Sequence, residues 1–177
     1  MDALIQYSIP IKGLYPGVHK YNFQIDQSFF QAFENSPVAD GDVAVSLELD
    51  KRTDVYELDI EFSGTLKTEC DRCLAGISLP VSGEANLLVK LSLEPQPEEA
   101  DVIYISPEQP RLNVAKYIYE FVCLAMPLIK VYDCEEDENP PCNEEMLDYL
   151  DKNNPDAVKE SENNPIWDEL KKLSKDK

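Results

Sequence analysis

"VAVSLELDKRTDVYELDIEFSG", residues 43–64, decides the fold. Val43, Val45, Leu47 and Leu49 alternate with Ala44, Ser46, Glu48 and Asp50. After the turn-forming "KRTD" of residues 51–54, Tyr56, Leu58, Ile60 and Phe62 alternate with Glu57, Asp59, Glu61 and Ser63. Successive side chains of a strand point to opposite faces, so period two with one wet face marks an antiparallel sheet. The even phase continues through Leu66, Thr68 and Cys70. The strand is therefore expected to run past Gly64, bending there, and to deliver Cys70 to its apolar side at the end.

Working outward, the alternation returns as Ile77, Leu79, Val81, Ala85, Leu87, Val89 and Leu91, with Pro80 placing the start of that strand at an edge or bulge. "VIYI" (102–105) reads as a short strand, and Tyr21, Phe23 and Ile25 as one ending near Asp26. "IQYSI" (5–9) alternates more weakly, and "QSFFQAF" (27–33) sets Phe29, Phe30 and Phe33 at helical spacing. These segments give an antiparallel sheet of five or six strands. The period then changes. In "LNVAKYIYEFVCLAMPLI" (112–129), Val114, Ile118, Phe121, Val122 and Ala125 form the stripe of a helix burying one face, with Asn113 as cap and Pro127 at the stop. The expected fold is α+β, an antiparallel sheet packed by one main helix over residues 1–132.

Beyond it the composition shifts. Residues 133–164 carry twelve Asp or Glu against Lys152 and Lys159, a balance of −10 within a chain total of −19. This reads as a flexible, acidic, loop-rich segment with a short helix at "NEEMLDYL" (143–150). Residues 165–177 read as a terminal amphipathic helix: Asn164 caps it, Pro165 suits the first turn, and Ile166, Trp167, Leu170 and Leu173 share one face. That face fits a partner protein or the sheet of its own chain equally well.

So acidic a chain repels phosphate backbones, because nucleic-acid affinity comes largely from Lys and Arg displacing counterions. The expected partner is a basic protein, or RNA met through a local patch. The first ten residues, "MDALIQYSIP", have no basic stretch leading into an apolar one, and the sequence has no run of about 20 apolar residues. A cytoplasmic location is expected, where a reducing environment would leave the five cysteines free or on a metal.

Cys70 and Cys73, in "TECDRCLAGI" (68–77), have the spacing of half a zinc knuckle at a hairpin tip. Cys134 and Cys142, in "YDCEEDENPPCNE", are the candidates for the second pair, and zinc is the ion four such ligands would take. The competing reading leaves them as unligated thiols packed in the core. A thioredoxin-like pair would sit at a helix start, whereas "CDRCLAGISLPV" leads into a strand. Cys123, beside the helix stripe, reads as a small buried residue. Asp133, Glu135, Asp137 and Glu144 fall on calcium-loop positions, but Glu138 stands where that loop requires glycine. His19 is the only histidine, and the six glycines form no phosphate-binding pattern. Nothing in these residues points to catalysis.

Three segments carry a family resemblance: "GTLKTECDRCLAGISLPV" (64–81), "LNVAKYIYEFVCLAMPLIKVYDCEED" (112–137) and "NPIWDELKKLSK" (164–175). Their order and spacing resemble the bacterial and plastid large-ribosomal-RNA accumulation family, the YceD-like proteins, over most of residues 40–177. "LNV" stands where that family has "IDL", and "EEDENPP" is inserted between Cys134 and Cys142. The resemblance implies a small non-catalytic factor for 23S ribosomal RNA accumulation and ribosome biogenesis. Carried across, Cys70, Arg72, Cys73 and Leu74 are its first motif; Glu120, Pro127 and Cys134 belong to its second. A basic ribosomal or assembly protein, or the RNA itself, is then the expected partner. A metal- or thiol-dependent enzyme and an acidic interaction module unrelated to ribosomes are the rival classes.

Overall fold

The structure is a computed structural model that describes residues 4–94, 96–97, 101–134, 137 and 139–153. A 3-10 turn (Ile5–Tyr7) leads into β1 (Ser8–Pro10), followed by β2 (Gly17–Ile25), α1 (Gln27–Gln31), β3 (Asp40–Lys51), β4 (Val55–Glu69) and β5 (Gly76–Leu91). The chain continues through β6 (Val102–Ile105), β7 (Arg111–Asn113), α2 (Ala115–Leu124) and α3 (Glu144–Asn153). The main sheet has the order β2-β3-β4-β5-β6, and β1 pairs with β7 in a separate two-stranded ribbon. The fold is α+β, as the alternation predicts.

The long hairpins form where period two is strongest. β3 and β4 pair from Asp40↔Lys67 to Lys51↔Tyr56, and β4 and β5 from Val55↔Lys90 to Glu69↔Gly76. Val43, Leu47, Leu49, Leu58, Ile60 and Leu66 are fully buried on one face, while the intervening carboxylates stay at the surface. β4 runs on past Gly64. A Cβ there would lie 2.1 Å from the Asp42 carbonyl oxygen and 2.6 Å from the Val43 Cα, so β3 and β4 approach so closely that only glycine fits. Pro80 sits opposite Thr65 on β5. β6 covers only Leu88–Leu91, so Pro80 falls on an uncovered stretch where its missing N–H leaves no gap in the ladder.

One strand departs from the expected antiparallel pattern: β6 runs parallel to β5, with Leu88↔Val102 through Leu91↔Ile105. A parallel partner must be reached by a crossover. Here the chain has to double back only from Leu91 to the level of Leu88, so residues 92–101 suffice. Period two is identical in both orientations, which is why the sequence did not reveal the direction.

The apolar face is closed by helices. Asp26 caps α1 by accepting the Ser28 and Phe29 amides at 2.9 and 3.3 Å. Phe29 packs among Tyr7, Phe30 and Phe33, and Phe33 stacks on Tyr119 of α2 at 4.0 Å. Val114 holds the N-cap position of α2 rather than the expected Asn113, whose side chain, one residue earlier, accepts the Ala115 amide at 2.9 Å. Val114, Ala115, Ile118 and Val122 are buried, while Phe121 and Ala125 are only partly so. No described helix is long and apolar enough to cross a membrane.

Candidate functional site

Two surfaces stand out, one built by β-sheet parity and one by the turn after β4. Parity places Glu48, Asp50, Glu57, Asp59, Glu61 and Glu84 together on the face opposite the core. Glu48 lies directly across from Asp59, Asp50 from Glu57, and Glu61 from Glu84. Like charges so placed repel, so the face is held against a standing electrostatic cost. Cations relieve part of it: Arg52 bridges Asp50 and Glu57 at 2.9 Å each, and Lys20 pairs with Glu48. Asn86 donates to Asp59 at 2.7 Å. A shallow depression on this face is lined by Ser46, Glu48, Asp59, Glu61, Glu84 and Asn86. Among the described residues no helix packs over this side; α1 lies against β2 and β3, and α2 against β5, through the buried face.

The second surface is the Cys70–Cys73 turn. The Cys70 amide bonds the Ala75 carbonyl at 2.8 Å and the Leu74 amide returns to the Cys70 carbonyl at 2.9 Å. Leu74 closes the turn in the left-handed region, φ 59°. Its side chain and that of Arg72 are exposed, whereas Cys70 and Cys73 are each 1% exposed. Residues 130–132 lock onto the turn: the Asp71 amide donates to the Lys130 carbonyl, and the Lys130 amide to the Asp71 carboxylate, both at 2.7 Å. The backbone at Tyr132, Cys73 and Arg72 supplies hydrogen bonding that favours the Cys70 thiolate. Burial alone would raise that thiol, but these donors and the Cys73 side chain pull it down from 9.0 to about 7. Cys123, on α2, is pushed up by burial instead.

Cys70, Cys73, Ile77 and Leu79 form a small buried cluster of their own, against which Ala75, Tyr132, Cys142, Met146 and Leu147 pack. The second cysteine pair thus reaches the first, but not as thiols. Cys134 and Cys142 are joined in a disulfide, their Cα atoms 6.9 Å apart. This corrects the expected four-thiolate set. Sulfurs bonded to each other carry no thiolate charge, so only Cys70 and Cys73 remain as thiol donors here. Among the described residues no group of three or more His, Cys, Asp or Glu is placed to hold a metal ion.

Glu120 and Pro127 are both exposed, one on α2 and one just beyond it, away from the cysteine turn's buried cluster. The helix expected in "NEEMLDYL" is α3, and it reaches the cysteine cluster through Met146 and Leu147. Ile166, Trp167, Leu170 and Leu173 lie outside the described residues. Sequence reasoning missed the acidic face as a unit. The signal was there in the odd-phase carboxylates of residues 48–61, but the register that stacks them across strands was not.

No curated protein and no solved structure matches the chain. A family model described as the large ribosomal RNA subunit accumulation protein YceD matches residues 58–174, from β4 through the cysteine turn, α2 and α3 and beyond. The match takes in most of the chain, the turn with its Cys70, Arg72, Cys73 and Leu74 included, and the chain belongs to the YceD family.

Proposed function

We propose that this protein supports accumulation of large-subunit ribosomal RNA without catalysing a reaction, by docking a basic ribosomal or assembly protein on the outer face of its sheet. Family membership supports the process. The acidic face supports the partner's chemistry. Its carboxylates lie in rows across neighbouring strands, at the spacing of a sheet, and stand in for the phosphates a basic RNA-binding protein otherwise meets. The observation that carries the reading is the Glu61–Glu84 pair at the centre of that face. Charges directly opposed across strands cost stability, and such a cost is retained where binding uses it.

Charge reversal tests the reading. Tagged wild type is used to capture basic large-subunit proteins at moderate salt, alongside Glu61→Lys/Glu84→Lys. The wild type is expected to retain a basic protein, with the complex weakening as salt rises, and the variant to lose it. Capture of naked ribosomal RNA with no protein needed, or equal capture by the variant, refutes the docking surface. Unchanged large-subunit RNA in cells lacking the protein refutes the process. A thiol- or metal-dependent enzyme would instead show turnover abolished by alkylation or chelation.

A further inference from the structure

We infer that the apolar loop after α2 is the docking site of this chain's own carboxyl-terminal segment, with Ile166, Trp167, Leu170 and Leu173 covering Leu124, Leu128 and Ile129. This goes beyond the docking role of the sheet and does not depend on it.

Three observations carry the inference. First, large apolar side chains crowd one short stretch of surface. Leu124, the last residue of α2, is 80% exposed, and Leu128 and Ile129 are 100% and 73% exposed. A single exposed leucine is ordinary, but three such residues between positions 124 and 129 make a patch of the kind that marks a contact.

Second, the loop is held on both sides of these residues. On one side the Ala125 amide bonds the Phe121 carbonyl at 3.0 Å, and Met126 packs against the main core. On the other, the Asp71 amide donates to the Lys130 carbonyl and the Lys130 amide to the Asp71 carboxylate, both at 2.7 Å. Leu128 and Ile129 are thus presented outward by an anchored backbone, and covering them takes a segment from elsewhere.

Third, an apolar stripe of the same chain lies within reach. Residues 154–177 are outside the described residues, and in their sequence Ile166, Trp167, Leu170 and Leu173 recur at helical spacing. α3, which precedes them, packs through Met146 and Leu147 on the cluster that also takes Tyr132, two residues from Lys130. From Leu147 to Asn153 the helix advances about 9 Å. The chain from 154 to 165 then spans up to about 40 Å when extended. A tether that short favours the chain's own segment over a free partner.

Charge decides among the possible occupants. Residues 124–131 carry no carboxylate, and their one charged side chain is Lys130, so this loop has nothing to attract a basic protein. A second copy brings another net charge of −19 and is repelled. Residues 165–177 carry four lysines against three carboxylates, so they approach so acidic a body without that repulsion.

Trp167 is the only tryptophan, so its fluorescence reads the contact directly in the full chain. Its emission is expected to be blue-shifted and its quenching by neutral acrylamide slow, both independent of protein concentration. Leu128→Asp/Ile129→Asp should move the emission to that of the urea-unfolded chain and speed quenching to match. Both positions are exposed, so the circular dichroism of the sheet should not change. Leu93→Asp, at another exposed leucine, should leave Trp167 as it is. With benzoylphenylalanine at position 128, photo-crosslinking should join that residue to 166–173 of the same molecule, and this decides the matter if the aspartate variant fails to fold. A wild-type Trp167 as exposed as in urea, emission unmoved by a folded double variant, a crosslink to any other segment, or burial lost on dilution would each overturn the inference. The last result would assign the loop to a second copy instead.

Discussion

Leu47, Leu58, Ile60 and Val89 belong to an apolar cluster that β1 to β7, α1 and α2 all help to build. Cys70, Cys73, Ile77 and Leu79 form a cluster of four buried residues at the far end of β4 and β5, with Tyr132, Cys142, Met146 and Leu147 packed against it. In the first, every strand contributes alternate side chains, so burial is redundant and the loss of one contact is shared. In the second, a turn, a loop and the first turns of α3 meet through a few side chains and two pairs of cysteines. The comparison teaches that one sheet can carry two regions stabilised by different means: apolar area in the core, sulfur chemistry at the joint.

Substitution separates the two. Leu47→Ala leaves a cavity in the centre of the main cluster, and the urea midpoint should report a loss of about 2–5 kcal/mol. A loss near zero would mean that the core is not where the sheet's stability resides. Gly64→Ala drives a methyl group into the β3 backbone and should cost about 1–3 kcal/mol by the same measurement. A neutral result would show that the strands part easily at Gly64.

The joint should respond differently. In Met146→Ala/Leu147→Ala, limited proteolysis between residues 132 and 153 should accelerate several-fold. The urea midpoint of the sheet should move by no more than about 0.5 kcal/mol, because opening there is local. A midpoint shift as large as that of Leu47→Ala would merge the two regions into one cooperative unit. The smallest effect belongs to the outer face. Glu61→Gln/Glu84→Gln relieves a like-charge pair and should raise stability by a few tenths of a kcal/mol, about the lower range of cross-strand pair effects. It should also weaken capture of a basic protein. Lower stability in that variant would remove the reason for treating the pair as a cost held for binding.

Much of this was legible in the residues. Alternation at 43–62 located β3 and β4, the unbroken phase carried β4 through Gly64 to Cys70, and Pro80 marked an uncovered strand segment. The stripe at Val114, Ile118 and Val122 gave α2 its place. What was not legible depended on neighbours distant in the chain. β6 reads the same parallel or antiparallel. The six carboxylates of the outer face gather only once Glu61 is registered against Glu84 and Glu48 against Asp59. The four cysteines suggested a metal set, and the fold brought them together but joined two of them to each other.

By itself the sequence determined which residues turn inward, because period two and period 3.6 are properties of the local backbone and need no partner. Only the tertiary structure decided which surface those faces compose, since strand order, direction and register are fixed by packing across the chain. The acidic face exists because β3, β4 and β5 align in one register, and the cysteine joint because residues 130–132 close on the turn at Asp71.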